Sequence, residues 1–268
     1  MTLDEAARCL AEAGIEGARR EARLLSAHVL GADASLTAIP TPEQSAKFAA
    51  LVARRAGREP FAYITGRKEF WSLEFEVGPG VLIPRPDTET LIEQAVKFTP
   101  DRNAPLAIAD LGAGSGALLV AALREFPRAT GIGFESSPEA FAYLSRNIAR
   151  HVPERGQARG EAWDCAQGPF DLVLSNPPYI PAADIESLAP DVSRYEPRSA
   201  LDGGQDGLDA YRSLGGLLPQ ILKPGGHAIL EIGVGQGNSV EPLFPDLEIV
   251  TLATDLSGIP RALVLRKS

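Results

Sequence analysis

Over the first 57 positions of the chain, apolar residues recur every three or four positions, which is the spacing of an amphipathic helix. Thr2 and Glu5 form a capping box that begins the first helix. A second helix is predicted over 18–30 and a third over 42–55, with Thr41 as its N-terminal cap. These segments predict a small helical unit at the N-terminus.

The period changes to two between Phe61 and Leu82, where apolar residues are separated by glutamates. Alternation of this kind predicts a β-hairpin, and Gly78-Pro79-Gly80 is the predicted turn. We therefore expect three parts: a helical domain over 1–60, a hairpin linker over 61–84 and a larger domain over 85–268.

From Leu106 onward, short apolar runs alternate with helical segments, which is the pattern of an α/β domain with a largely parallel sheet. Seven strands are predicted, at 106–110, 130–134, a short segment ending at Glu161 to Asp164, 170–175, 227–232, 247–253 and 261–265. The last two form an antiparallel pair. The long irregular stretch before the helix at 209–222 is predicted to be a functional loop. The predicted fold class is a Rossmann-like α/β domain with a mixed seven-stranded sheet.

A glycine-rich turn follows the first of these strands. It consists of Gly112, Ala113, Gly114, Ser115 and Gly116. Glycines there allow a nucleotide to approach the backbone, and the next helix offers free N–H groups, although a tight structural turn has the same composition. Glu135 ends the second strand, nineteen residues past Gly116, near where a dinucleotide fold places a ribose-binding carboxylate. This form of turn, preceded by Asp110, is usual in methyltransferases that use S-adenosylmethionine. Trp163 is a candidate cover for adenine, with core packing as the alternative.

The fourth main-sheet strand stops at Ser175 and is followed by Asn176, Pro177, Pro178 and Tyr179. Two prolines hold the chain extended at the carboxyl edge of the sheet, where open α/β folds bind ligands. The Asn176 oxygen and a proline carbonyl can accept the two N–H bonds of a planar amide or exocyclic amine, and the Tyr179 ring can stack on its plane. The alternative is a strand-terminating turn with a buried tyrosine.

The composition and charge of the chain disfavour several classes of partner and site. The 268 residues are 44% hydrophobic and 23% charged, as in ordinary globular proteins, and the net charge of −9 disfavours direct nucleic-acid binding. Cys9 and Cys165 have no cysteine or histidine near them in the sequence, so neither a disulfide nor a metal site is indicated. Because no leader or membrane-spanning segment is evident, we expect a cytoplasmic protein without membrane contact. We also expect a monomer.

Taken together, the motifs resemble the HemK/PrmC family, the N5-glutamine methyltransferases of peptide chain release factors. The matching stretches cover nearly the whole chain and include Phe61 to Gly66, Leu82 to Glu89, Asp110 to Gly116, Ser175 to Ile180, Glu196-Pro197 and Leu230 to Gly233. The Asn-Pro-Pro-Tyr motif alone is shared with adenine N6 methyltransferases. The Ile-Pro-Arg-Pro-Asp-Thr-Glu stretch is far more specific to the family.

The resemblance implies a class I S-adenosylmethionine-dependent methyltransferase that modifies the glutamine of the Gly-Gly-Gln motif in class 1 release factors. It also implies that Gly112 to Gly116 hold the methionine part of the cofactor, Glu135 the ribose and Trp163 the adenine. Asn176 to Tyr179 would bind the glutamine amide, with Asn176 also beside the cofactor and Asn176, Pro177 and Tyr179 as catalytic residues. Two departures stand out: Glu135 replaces the family's usual aspartate, and Ala162 replaces an acidic residue, a role that only Asp164 could take over.

Two alternatives to this function stay open at the level of the sequence. An adenine N6 methyltransferase of DNA or RNA would share Asn176 to Tyr179, but it should carry a basic target-reading region that this acidic chain lacks. A non-catalytic protein would use the helical unit to bind a partner, and the intact glycine turn and Asn176 argue against it. The favoured mechanism is direct transfer of the methyl group, without a metal or covalent intermediate.

Overall fold

The computed structural model describes residues 1–31 and 40–268 and divides into two compact units. The first unit consists of Met1–Arg67 together with Ala189–Tyr195. The second consists of Lys68–Leu188 and Glu196–Ser268. The chain therefore leaves the first unit, returns to it for seven residues and leaves it again.

The helices and strands of the described residues are numbered in chain order. The α-helices are α1 (Leu3–Glu12), α2 (Ala18–Leu30), α3 (Pro42–Ala56), α4 (Phe61–Thr65), α5 (Glu89–Phe98), α6 (Ala117–Glu125), α7 (Pro138–His151), α8 (Pro190–Ser193), α9 (Asp209–Ile221) and α10 (Gly237–Val240). The strands are β1 (Arg67–Phe70), β2 (Leu73–Glu76), β3 (Ala107–Leu111), β4 (Thr130–Phe134), β5 (Gly156–Arg159), β6 (Phe170–Ser175), β7 (Leu222–Glu231), β8 (Glu248–Thr254) and β9 (Pro260–Arg266). None of the described helices combines the length and the apolar composition needed to cross a bilayer.

In the helical unit, α1, α2 and α3 pack their apolar faces together around Leu10, Leu25 and Val52, all fully buried. The predicted capping boxes are present at Thr2 and Thr41. Because each cap satisfies backbone N–H groups that the first helical turn cannot pair, both helices begin where the sequence predicted.

The returning segment binds to the helical unit through charged and polar groups. The Asp191 carboxylate on α8 accepts hydrogen bonds from Arg55, at 3.2 Å, and from Arg58, at 2.8 Å. Arg55 is 6% exposed and also donates to Glu21 at 2.6 Å. The Tyr195 hydroxyl donates to the Gly57 carbonyl at 2.7 Å. A buried guanidinium is therefore shared between α2 and a segment far along the chain.

The second unit contains the predicted mixed sheet of seven strands, in the order β5-β4-β3-β6-β7-β9-β8. Strands β3 to β7 are parallel, and β9 is antiparallel to both β7 and β8. The chain builds outward from β3 through β4 to β5 and then returns to place β6 on the other side of β3. The order of strands thus reverses between β3 and β6, and the crevice at their carboxyl ends is where such sheets bind ligands.

The hairpin differs from its prediction in where it turns. Phe61–Thr65 is helical, and β1 and β2 are joined by Trp71 and Ser72, both with positive φ (52° and 57°), rather than by Gly78-Pro79-Gly80. Carboxylates stabilise this turn without glycine: Glu89 accepts the Trp71 N–H at 2.7 Å, and Glu69 accepts that of Ser72 at 2.6 Å. The sequence pattern could not reveal the partner of Trp71, because Glu89 lies on another element.

The prediction that Glu161 to Asp164 ends the third strand of the main sheet is wrong. That strand is β5, which stops at Arg159, and Trp163–Cys165 forms a 3₁₀ helix. The reason is the length of its neighbour: β4 ends at Phe134, which pairs with Arg159, so the later residues have no strand beside them.

Candidate active site

The glycine turn follows β3 and Asn176 follows β6, so the reversal of strand order brings them to one crevice. A cavity of about 240 Å³ lies there. The residues that line it include Thr88, Asp110, Gly112, Ala113, Gly114, Ser115, Glu135, Ala162, Trp163, Asn176, Pro178 and Pro197. Most of the residues singled out from the sequence therefore meet in one place.

Three glycines of the turn have positive φ, of 74° at Gly112, 55° at Gly114 and 82° at Gly116. A Cβ atom on Gly116 would lie 2.8 Å from the end of the Leu144 side chain, and one on Gly112 would lie 3.3 Å from the Trp163 ring, so a larger residue at either position would require its neighbour to shift. At Gly114 the nearest atom would be on Val81, at 3.9 Å. Only the backbone angle and the open cavity therefore account for the glycine at that position.

The Glu135 carboxylate organises the turn from the end of β4. Its two oxygens accept the backbone N–H groups of Gly114, at 2.9 Å, and of Ser137, at 2.8 Å. A carboxylate has about four lone-pair sites, so acceptor capacity remains for other donors in the cavity. The glutamate thus both stabilises the turn and faces the cavity.

Asp110 is the other carboxyl group of the site and is 1% exposed. Its Oδ2 accepts the Leu119 N–H at 3.1 Å, while its buried Oδ1 has no partner among the described residues. Burial raises the pKa of Asp110 to about 7; the Leu119 N–H opposes the shift, and the nearby Glu135 charge adds to it. An unpaired buried acceptor beside a cavity is available to a ligand that carries a donor or a positive charge.

Trp163 lines the cavity from its 3₁₀ helix, with its indole N–H donated to Ser213 at 3.1 Å. Its ring edge lies against Gly112 and its body packs on the core, so cavity lining and core packing are combined. Ala162 also lines the cavity, whereas Asp164 is exposed and is not among the described lining residues. The structure thus does not place Asp164 where an adenine-binding carboxylate would be.

Asn176 is held by a chain of polar side chains that begins in β7. Its Nδ2 lies 3.3 Å from Thr88 Oγ1, which donates at 2.5 Å to Oε2 of Glu231. The Tyr179 hydroxyl donates to Oε1 of the same carboxylate at 3.1 Å. Burial, followed by the Glu231 charge, raises the pKa of Tyr179, so its hydroxyl stays protonated and donates. Glu231 therefore links both ends of the Asn-Pro-Pro-Tyr motif.

Three of the predicted site residues, Gly116, Pro177 and Tyr179, are not among the described residues that line the cavity. Gly116 caps α6, and Pro177 is buried. The Tyr179 carbonyl accepts a hydrogen bond at 3.0 Å from the side chain of Gln236, a residue that shares in the family resemblance but was assigned no role from the sequence. Gln236 thus helps to fix the path of the chain after the prolines.

The segment before α5 is fixed to later parts of the same unit by three polar pairs: Arg85 with Glu196, Asp87 with Arg261, and Thr88 with Glu231. Glu231 is 2% exposed. A carboxylate in the apolar strand Ala228 to Ile232 is the signal by which sequence reasoning could have found it, because unpaired buried charge is costly.

Two family models match the chain. The PrmC N-terminal domain matches residues 2–66, and the methyltransferase small domain matches residues 88–190. A release factor glutamine methyltransferase from Geobacter sulfurreducens is 44% identical over 241 residues, which is 88% of this chain and 84% of that protein. The chain belongs to the release factor glutamine methyltransferase family. A member from Rhodospirillum rubrum is 43% identical over 274 residues, 99% of this chain and 84% of that protein.

The fold agrees with this family. A methyltransferase from Pyrococcus furiosus superposes with a TM-score of 0.53 at 18% identity, covering 75% of this chain and 92% of that one. At this level of identity, the superposition shows a shared fold and no more. Membership in the release factor glutamine methyltransferase family confirms the predicted family, the class I fold and a methyltransferase enzyme that uses S-adenosylmethionine.

Proposed function

We propose that this enzyme transfers a methyl group from S-adenosylmethionine to the side-chain amide nitrogen N5 of the glutamine in the Gly-Gly-Gln motif of class 1 peptide chain release factors. The observation that carries the proposal is Asn176 in the cavity. Within the described part of the chain, its only side-chain hydrogen bond runs from Nδ2 to Thr88, which leaves Oδ1 as an acceptor for a substrate amide.

The residues of the cavity fit S-adenosylmethionine. The unpaired Oδ1 of Asp110 suits a ligand that carries positive charge, and the open space at Gly114 admits a ligand close to the backbone. We assign the methionine part to Gly112 to Gly116, the ribose hydroxyls to the free lone pairs of Glu135, and one adenine face to Trp163. When bound, the cofactor supplies a methyl group on a positively charged sulfur.

Asn176 and Pro177 orient the amide to be methylated. The Asn176 Oδ1 accepts one N–H of the glutamine amide and the Pro177 carbonyl accepts the other, so the nitrogen is held with its face toward the methyl donor. Pro178 lines the approach. The Tyr179 ring lies outside the described cavity lining, with its hydroxyl fixed by Glu231, and we assign it to cover the amide plane once the substrate is bound. Alignment of this kind can supply roughly 7 to 11 kcal/mol of a reaction barrier.

The acceptors also act on the charge that develops. As the carbon–nitrogen bond forms, the amide nitrogen gains positive charge and its N–H bonds become stronger donors. Oxygens already aimed at those hydrogens then stabilise the transition state more than the bound substrate. The chain's own residues therefore contribute by position and fixed dipoles. As the nitrogen attacks the methyl carbon directly, the carbon–sulfur bond breaks, and the methylated amide then loses one proton to water.

We propose a folded release factor as the substrate and the helical domain as its docking surface. The two glycines of the substrate motif let an extended backbone enter a narrow cleft, and contacts away from the amide orient it. We further propose a cytoplasmic monomer that makes no direct contact with nucleic acid or membrane. The net charge of −9 and two free cysteines support this setting.

Mass spectrometry of a class 1 release factor incubated with the enzyme and S-adenosylmethionine tests the proposal. We expect one added methyl group, on the glutamine of Gly-Gly-Gln, and none on a release factor whose motif glutamine is replaced by alanine. An oligonucleotide rich in adenine serves as the competing acceptor. Methylation of adenine in preference to glutamine would overturn the proposal in favour of an adenine N6 methyltransferase.

A further inference from the structure

Asn176, Thr88 and Glu231 form a chain of hydrogen bonds in which each donor points toward Glu231. Glu231, at the end of β7, is 2% exposed and accepts from two hydroxyls, Thr88 at 2.5 Å and Tyr179 at 3.1 Å. Burial raises the pKa of Glu231, while the hydrogen bonds from Thr88 and Tyr179 and the charge of Arg261 oppose that shift. Each carboxylate oxygen is thus paired with a donor, as a buried carboxylate requires.

In its ionised form, which the nearby Arg261 charge favours, Glu231 has no hydrogen to give, so the single hydroxyl hydrogen of Thr88 points at Glu231. The Thr88 oxygen then offers only lone pairs to Asn176. Of the two ends of the Asn176 amide, only the NH₂ end can meet those lone pairs favourably, and it lies there at 3.3 Å. The carbonyl end must therefore point away from Thr88, which leaves it for the cavity.

We propose that Thr88 and Glu231 are positioning residues that set which end of the Asn176 amide faces the substrate. The inference rests on the proposed function, in which Oδ1 of Asn176 accepts the glutamine N–H. Without the pair, the amide can rotate by half a turn and present its NH₂ group, a donor, to a substrate nitrogen that needs an acceptor. The substrate still fits the cavity, but a large share of bound complexes cannot react.

The position of Thr88 supports a role in orientation. Thr88 lines the cavity beside Asn176, on the 3₁₀ helix Pro86–Thr88, and Glu231 lies behind it on β7. The same carboxylate fixes Tyr179, whose carbonyl is held independently by Gln236. Glu231 therefore sets both the amide that accepts the substrate and the ring proposed to cover it.

Thr88→Val tests the proposal because it removes the hydroxyl while keeping the size and branching of the side chain. We expect kcat on the intact release factor to fall by about 10- to 100-fold, comparable to losing the outer partner of a metal ligand, with KM changed far less. Thr88→Ser, which keeps the hydroxyl, should restore most of the lost kcat. Thr90→Val is the matched control, since Thr90 is buried to a similar degree (4% against 5% exposed).

Glu231→Gln tests the carboxylate itself. Because a glutamine amide can donate as well as accept, Thr88 is no longer forced to donate, and kcat should fall by a similar factor. Nuclear magnetic resonance gives a readout that does not depend on turnover. The side-chain NH₂ signals of Asn176 should show slow exchange with water in the parent, and fast exchange in Thr88→Val and Glu231→Gln, with backbone signals away from the site unchanged.

The outcomes separate this inference from the function on which it rests. If the parent enzyme does not methylate glutamine, the proposed function fails. If Asn176→Ala lowers kcat but Thr88→Val and Glu231→Gln do not, the function stands and the positioning role is refuted. An Asn176 amide that stays protected from exchange in both variants would refute it as well, and so would a fall in kcat that Thr88→Ser does not reverse.

Discussion

At the scale of single residues, Asp110 shows how burial sets the chemistry of the site. The carboxyl lies in the core next to the glycine turn, with one oxygen bonded to the Leu119 N–H and the other without a described partner. Its pKa is raised from 3.8 to about 7, first by desolvation. Near neutral pH, a ligand that brings positive charge to Asp110 therefore favours its ionised form.

The raised pKa of Asp110 makes the stability of the folded protein depend on pH in a definite direction. Between the unfolded pKa of 3.8 and the folded pKa of about 7, the folded protein binds more protons than the unfolded chain, so this residue makes the free energy of unfolding fall as pH rises. Asp110→Asn removes that dependence. In urea denaturation without cofactor, the free energy of unfolding of the variant should therefore rise relative to that of the parent between pH 5 and pH 8. A difference that stays constant over that range would contradict the raised pKa.

Substitution of Gly114 should have two effects, strain in the backbone and loss of space in the cavity, and a matched control can separate them. Its φ of 55° disfavours any residue with a Cβ, but no atom lies closer than 3.9 Å to where that Cβ would be. Gly114→Ala should therefore cost about 1–2 kcal/mol of stability and also weaken S-adenosylmethionine binding by about tenfold or more. Gly258→Ala is the control, at a φ of 78° in open space. Calorimetry should find cofactor affinity unchanged in the control, and equal affinities in both variants would argue against the placement of the cofactor.

At the scale of elements, one buried asparagine joins the hairpin to the glycine turn. Asn147 on α7 is fully buried; it accepts the Glu76 N–H at 2.8 Å and donates to the carbonyls of Glu76, at 3.0 Å, and Ser115, at 2.9 Å. The edge of β2 is thus bonded to a helix side chain rather than to another strand. The position of the hairpin and the shape of the turn are coupled through one side chain.

Asn147→Ala should be strongly destabilising, since it removes the side-chain partner of the buried Ser115 carbonyl and of two half-buried backbone groups of Glu76. We expect a loss on the order of 3 kcal/mol, measured by urea denaturation, together with weaker cofactor binding because Ser115 belongs to the glycine turn. Asn103→Ala, at an exposed asparagine, should change neither quantity. Similar stability of the two variants would mean that other contacts hold the hairpin.

The elements also mark how far the sequence could predict the structure. Wherever helix caps, hydrophobic period and glycine spacing are local, as in α1, α3 and the turn after β3, the prediction agrees with the structure. It failed at the hairpin turn, which depends on Glu89, and at the end of β5, which depends on where β4 stops. Thr88 and Glu231 lie in stretches that carry the family resemblance, but their roles were missed for the same reason, because those roles come from pairing across 143 positions of the chain.

At the scale of the whole molecule, the two units differ in how the chain forms them. The helical unit takes α8 from the loop that follows the Asn-Pro-Pro-Tyr motif, and Asp191 in that helix pairs with Arg55 and Arg58. The sequence-based division at 60 and 84 stays a prediction, to be tested by expressing the parts. The structure adds that a fragment ending near residue 60 lacks the carboxylate of Asp191.

Asp191→Ala should therefore destabilise the helical unit through Arg55, whose side chain is 8% exposed and would keep only part of its hydrogen bonding. Removing one acceptor from a buried guanidinium should cost about 1–3 kcal/mol. Hydrogen exchange should show faster opening of α2 and α3. Asp4→Ala removes an exposed pair with Arg19 in the same unit and should change stability by less than about 1 kcal/mol. Equal exchange rates in the two variants would show that Asp191 contributes no more than a surface charge.

The return of α8 to the helical unit also fixes an order of events during synthesis. A ribosome makes the first 67 residues long before Ala189, so the nascent helices wait for their last segment until β3 to β6 have been translated. During that interval Arg55 has Glu21 but not Asp191. The first part of the chain to be made is thus among the last to be completed, and the helical unit closes only after β6 and the Asn176 that follows it have been translated.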